Sequence, residues 1–170
     1  MPKLFSKSEL QYFYKAIESD SERAKFLLYA SSGRRRMEIL TLTPDQIDLK
    51  RRVIMPGKDS KTKHTWYSFF NKECEKVLEE HLTKARQRSE HLFSANHNER
   101  DYLFVETQKK TGLKITPKSL RLFFANKMSR LGVQDRFIDA FQGHIPRSVL
   151  TRHYTDYSLE NLKRFATKPN

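Results

Sequence analysis

Only one stretch of this chain departs clearly from a helical spacing of apolar residues, and it limits what the rest can fold into. "RRVIMPGKDSKTKHTWYSFF", residues 51–70, carries apolar runs on both sides of a polar Gly-Lys-Asp-Ser-Lys turn. That pattern predicts a β-hairpin with Val53-Ile54-Met55 and Trp66-Tyr67 to Phe70 as its strands. The flanking sequence reads as capped amphipathic helices. A mainly α fold with a small antiparallel β-hairpin or sheet, an α+β arrangement, is the expected outcome.

Ser6 or Ser8 caps a first helix with Leu10, Phe13, Tyr14 and Ile17 on one face. Ser19-Asp20-Ser21 starts a second helix that stops at Gly33. "RRRMEILTLT" reads as a short helix ended by Thr43-Pro44. Past the hairpin, "NKECEKVLEEHLTKARQR" is helical with Val77, Leu78 and Leu82 inward, "SEHLFSANHNERD" a polar connection and "YLFV" a short strand. Thr116-Pro117 opens a helix, by a cap and a first-turn proline, whose buried stripe is Leu120, Phe123, Phe124, Met128 and Leu131. "QDRFIDAF" is a helix running into Gly143, and "SLENLKRFA" a last one capped by Ser158.

The 170 residues suit one core, and with 37% apolar and 12% aromatic residues the chain has the material to build it. A formal charge of +13 points to a polyanion as partner. The membrane reading is weak, because the longest apolar run, Phe26 to Ala30, is far too short to cross a bilayer. The start of the chain has no signal-peptide apolar stretch. The lone Cys74 cannot form an internal disulfide and reads as a reduced thiol on a helix, in an intracellular protein. DNA or RNA is the favoured partner.

Four groups of residues could carry chemistry. Arg34-Arg35-Arg36 is either a solvated basic cluster or holds one arginine rigid through Glu38, ready for a phosphate. Lys58, Lys61 and Lys63 either keep the hairpin turn soluble or reach a phosphate or a leaving group. Lys118 and Arg121 share one face at a helix start, where an anion is favoured. His144 follows Gly143, with His153, Tyr154 and Tyr157 beyond. The histidines and Cys74 match no zinc spacing, and no Gly-rich phosphate loop, nucleophile elbow or acidic cluster for Mg²⁺ is present. Neither a metal nor a nucleotide cofactor is expected.

The order of these groups resembles the catalytic domain of tyrosine recombinases, the phage integrase family. "SSGRRRMEILTLTPDQIDLKRRVI" is similar to the family's first box and selects Arg35, with Glu38 as its support. "PKSLRLFFANKM" is similar to the second, with Lys118 in the slot usually held by histidine and Arg121 in the arginine slot. "QGHIPRSVLTRHYTDYS" is similar to the third, with His144 and then Tyr154. Lys118, a His-to-Tyr gap of ten residues and Gln142 in place of leucine depart from the usual pattern. All three departures are similar to integrases of archaeal fuselloviruses and related plasmids. The resemblance runs from about residue 6 to 166, and nothing corresponds to the family's N-terminal core-binding domain. Residues 1–170 are therefore expected to be a single catalytic domain.

The resemblance implies a site-specific recombinase that cleaves and rejoins double-stranded DNA at attachment sites, integrating or excising a viral or plasmid genome in a prokaryotic, archaeal host. Arg35, Lys61, Lys118, Arg121, His144 and Tyr154 are its implied catalytic residues, with Tyr154 the nucleophile and Tyr157 a packing residue. Lys63 and then Lys58 rank behind Lys61. Arg34, Arg36, Lys58, Lys63, Arg147 and Arg152 are the implied flanking DNA contacts. Assembly into a dimer or tetramer on DNA is expected. A topoisomerase-like nicking-closing enzyme of type IB and an inert DNA-binding module of the same fold are the alternatives.

Overall fold

The computed structural model describes residues 2–57, 67–88, 91–93, 101–144 and 155–167. Among them are eight α-helices: α1 (Lys7–Lys15), α2 (Asp20–Ser32), α3 (Arg36–Leu40), α4 (Lys72–Arg88), α5 (Tyr102–Thr111), α6 (Pro117–Arg130), α7 (Asp135–Phe141) and α8 (Leu159–Ala166). Short-range chemistry sets their ends. Ser6 and Glu9 form a reciprocal capping box on α1, and the Ser19 hydroxyl accepts from the Glu22 amide at the start of α2. Thr116 caps α6 with Pro117 in its first turn, and Ser158 caps α8.

The β-structure is larger than the expected hairpin. β1 (Ile47–Asp48), β2 (Val53–Ile54) and β3 (Ser68–Phe69) form a three-stranded antiparallel sheet in that order. Val53 pairs with Phe69 across β2 and β3, as the sequence pattern requires, while β1 adds Ile47 opposite Ile54. Two-residue strands give too short a run for alternation to show, so β1 left no period-two signal. Trp66 and the polar turn from Lys58 onward lie outside the described residues.

Other expectations need correction. "YLFV" is the first turn of α5, where Leu103, Phe104 and Thr107 are buried at helical spacing and Gly112 closes the helix in the left-handed region. A four-residue apolar run does not distinguish strand from helix, and here the downstream "ETQKKTG" decides it. The connection at 91–93 is apolar rather than polar: Leu92 and Phe93 are buried, and the Leu92 amide bonds the Leu42 carbonyl at 2.7 Å. Ile17 is buried just past the end of α1, and α3 stops at Leu40, before Pro44 opens a 3₁₀ turn.

The core has two parts. One gathers Phe13, Leu28, Tyr29, Cys74, Leu78 and Phe104 from α1, α2, α4 and α5. The other packs Val53 and Phe69 of the sheet against Phe124, Phe137, Phe141 and Leu162 of α6, α7 and α8. The Ser68 hydroxyl donates to the Ser32 carbonyl at 2.7 Å, fastening β3 to the end of α2. Beyond that end the chain turns at Gly33 and enters α3, so the sheet side and the α6–α7 side meet at the residues the sequence singled out.

Candidate active site

Arg35 stands immediately before α3, in extended backbone at the helix cap. Its amide donates to Glu38 Oε2 at 2.8 Å, which satisfies a helix-start N–H and fixes the entry of the chain into the short helix. Glu38 meets Arg35 through the backbone amide. Its other oxygen lies 3.9 Å from the guanidinium of Arg34.

Arg34 is not the surface DNA contact that the sequence suggested. It is only 2% exposed, just beyond the αL residue Gly33 that ends α2. Burial pushes its guanidinium pKa down to about 10, with the Glu38 carboxylate opposing the shift. Arg36 is half-buried and its guanidinium lies along Met37 Sδ.

The second contributor is α6. Lys118 is exposed in its first turn and Arg121 half-buried one turn further on, so both project from one side of the helix start. Arg121 has a lowered pKa, first from burial and next from the charge of Arg35, opposed by Glu38. Two guanidiniums are therefore held close enough to feel each other, a cost that an incoming anion would relieve.

The third contributor is the end of α7. Gly143 has φ +71, the left-handed geometry that glycine adopts without a Cβ penalty. The Gly143 amide bonds the Ala140 carbonyl at 3.1 Å and the His144 amide bonds the Asp139 carbonyl at 2.8 Å. This pair of bonds is the Schellman closure of a helix C-terminus. A Cβ on Gly143 would sit 3.3 Å from Glu38 Oε1 and 3.7 Å from Arg35 Nη1. The glycine is the point at which α7 reaches α3.

His144 is carried across to Arg121, whose Nη2 lies 3.1 Å from His144 Nε2 and 3.4 Å from the Gln142 carbonyl. Gln142, 7% exposed, returns the contact by donating its side-chain amide to the Arg121 carbonyl at 3.0 Å. The glutamine that departs from the family's leucine is used as a polar clamp between α7 and α6. On its other side, His144 Nδ1 lies 3.2 Å from Asp139 Oδ1.

The described structure thus brings Arg35, Arg121 and His144 together, with Lys118 on the neighbouring turn. Lys58, Lys61, Lys63, Arg147, Arg152 and Tyr154 lie outside the described residues. Tyr157 is described, and it packs: its ring meets Phe137 edge-on at a centroid distance of 6.3 Å, and burial raises its pKa. Sequence reasoning missed Asp139, although a glycine after a helix is the signal for a Schellman closure and would have tied position 139 to 144. Cys74 is fully buried and burial raises its thiol pKa, which makes it a packing residue. Among the described residues, no helix is long and apolar enough to cross a membrane.

Known proteins resemble this chain in sequence and fold. A tyrosine recombinase, XerA of Thermococcus onnurineus (strain NA1), is 28% identical over 181 residues, covering 99% of this chain. The chain spans 63% of that relative's length. The crystal structure of a XerA recombinase superposes with a TM-score of 0.74 at 26% identity, over 100% of this chain and 67% of that one. The Tn1549 transposon integrase, solved in complex with circular intermediate DNA, shares the fold, with a TM-score of 0.64 at 14% identity over 96% of this chain and 64% of that one. The family model for the phage integrase family matches residues 3–160, which includes every box described above. With the helix ends of α3, α6 and α7 converging as they do, the chain belongs to the phage integrase family.

Proposed function

We propose that residues 1–170 are a catalytic domain that performs site-specific DNA recombination, cleaving and rejoining strands through a 3′-phosphotyrosyl intermediate. The observation that carries this reading is the junction at Gly143, where the Arg35 and Arg121 guanidiniums and the His144 imidazole gather from three separate helix ends. A phosphodiester in flight is a trigonal bipyramid with extra negative charge, and a preorganised cluster of donors favours that state over the ground state.

In this scheme Arg35 and Arg121 hold the non-bridging oxygens, and Lys118 and His144 add hydrogen bonds or assist proton transfer. Tyr154, whose ordinary pKa near 10 makes it a weak nucleophile, loses its proton within this cationic surround. Its oxygen bonds to phosphorus, the P–O5′ bond breaks, and a hairpin lysine, Lys61 foremost, protonates the departing 5′-oxygen. A 5′-hydroxyl from a partner strand reverses the step. One ester is exchanged for another, so the scheme needs no separate energy source.

The substrate is double-stranded DNA carrying attachment sites, in keeping with the +13 charge of the chain and with the DNA complex of the transposon integrase. Two or four copies assemble on it, and the reaction integrates or excises a viral or plasmid genome. Arg36, Lys58, Lys63, Arg147 and Arg152 contact the DNA backbone around the scissile phosphate.

A covalent-trapping experiment tests the chemistry. The chain is mixed with a nicked suicide duplex in metal-free buffer and resolved on a denaturing gel. Wild type and Tyr157→Phe are expected to form a protein–DNA adduct and Tyr154→Phe to form none. Loss with Tyr157→Phe alone would move the nucleophile three residues. Absence of adduct from wild type, with DNA still bound, would overturn the activity in favour of a DNA-binding module.

A further inference from the structure

The two nitrogens of His144 have partners of opposite character. Arg121 Nη2, 3.1 Å from Nε2, belongs to a guanidinium, which has only N–H groups to offer. Nε2 must therefore accept, which leaves the ring proton on Nδ1. There the neighbour is Asp139 Oδ1 at 3.2 Å, a carboxylate that can only accept. Both contacts select the same neutral tautomer, and neither alone depends on the other.

We propose that Asp139 is a positioning residue for His144: it holds the ring with its proton on Nδ1, so that Nε2 presents a lone pair toward Arg121 and can take up a proton in the cleavage step. This rests on the strand-cleavage reading for its catalytic meaning, though the tautomer itself is a property of the free protein. In a histidine left to itself the Nε2–H form predominates, and that form would point a donor at a donor. A hydrogen bond made by the remote nitrogen sets which nitrogen is available for chemistry.

The backbone makes this pairing possible. Asp139 and His144 are five residues apart, a spacing that points side chains of a continuous helix to different sides. The Schellman closure breaks the helix between them, and the His144 amide bonds the Asp139 carbonyl at 2.8 Å. The residue that supplies the carboxylate also anchors the histidine's main chain. Both side chains remain partly exposed, Asp139 at 49% and His144 at 42%, so the carboxylate is free of any core-packing duty.

The test uses the chain as it stands, with Asp139→Ala and Asp139→Glu, each checked for an unchanged far-UV spectrum. Long-range ¹H–¹⁵N correlation spectra at neutral pH read which His144 nitrogen carries the proton. Wild type and Asp139→Glu are expected to show Nδ1–H, and Asp139→Ala to shift the balance toward Nε2–H. In the trapping assay Asp139→Ala should form adduct roughly tenfold more slowly or worse, a fraction of the ordinary effect of a proton-transfer or hydrogen-bonding group, with Asp139→Glu restoring most of it. A tautomer unchanged in Asp139→Ala overturns the proposal, and so does a shifted tautomer with wild-type cleavage. Because the tautomer is read without DNA, a wild-type chain that makes no adduct counts against the strand-cleavage reading and not against the role of Asp139 in holding the ring.

Discussion

Arg34 is the residue whose environment departs furthest from its chemistry. A guanidinium that is 2% exposed must be compensated, and Glu38, 3.9 Å away and itself bonded to the Arg35 amide, is the charge that does it. Replacing only the arginine removes that counter-charge from a carboxylate held between the start of α3 and the end of α7. Arg34→Met should cost about 3 kcal/mol of unfolding free energy in urea titration, and Arg34→Met with Glu38→Gln appreciably less than the sum of the two single changes. Additive losses would show that the two charges do not interact. At this scale the sequence was partly legible. A triplet of arginines before a short helix advertises one rigid member, and the box order selected Arg35, which the structure does set beside Arg121. The burial of Arg34 was hidden because a run of three arginines does not say which of them turns inward. Asp139 was within reach of the sequence, since the glycine after α7 signals the closure that ties it to His144.

Among the elements, the helix ends do more than the helix bodies. Gly33 and Gly112 both close helices at φ +72, yet they sit in different surroundings. A Cβ at Gly33 would come within 2.6 Å of the Phe124 ring, which is buried in the α6–α7 core, whereas at Gly112 it would meet nothing within 4 Å. Gly112→Ala should therefore cost only the left-handed backbone penalty, about 1 kcal/mol, and Gly33→Ala that penalty plus overpacking, about 2–4 kcal/mol. Chemical denaturation of both variants checks the ordering, and equal losses would contradict the contact. Capped helices such as α1, α2, α6 and α8 were readable because their signals lie within one turn of sequence. The start of α5 was not, since "YLFV" has the composition of a strand, while the helix is decided by the sequence downstream and Phe104 packs on Phe13 and Tyr29. Tyr29 further donates to Asp101 at 3.1 Å, an acidic side chain that also meets Lys25 at 3.3 Å. That link spans more than seventy residues, beyond the reach of any local pattern.

For the molecule as a whole, charge is the feature that sequence alone states best and contacts explain least. With 33 basic against 20 acidic side chains, binding to DNA should be governed by release of counterions. If the chain neutralises about four phosphates, raising monovalent salt from 50 to 200 mM should weaken binding roughly a hundredfold, as read by fluorescence anisotropy on a labelled duplex. A flat response would mean that the basic surface is not the one that meets DNA.

The five residues of α3, Arg36 to Leu40, make little more than one turn, and a helix of that length does not persist in water. It exists because Ile39 and Leu40 are buried on one side and Glu38 is met by Gly143 on the other. The cap position that aims Arg35 is therefore on loan from the rest of the domain. A peptide cut from this region would carry the whole signature of the first box and none of its geometry. An arginine prepared for a phosphate arises here only when three distant stretches of chain have found one another, so the capacity for chemistry and the completion of folding arrive in the same event.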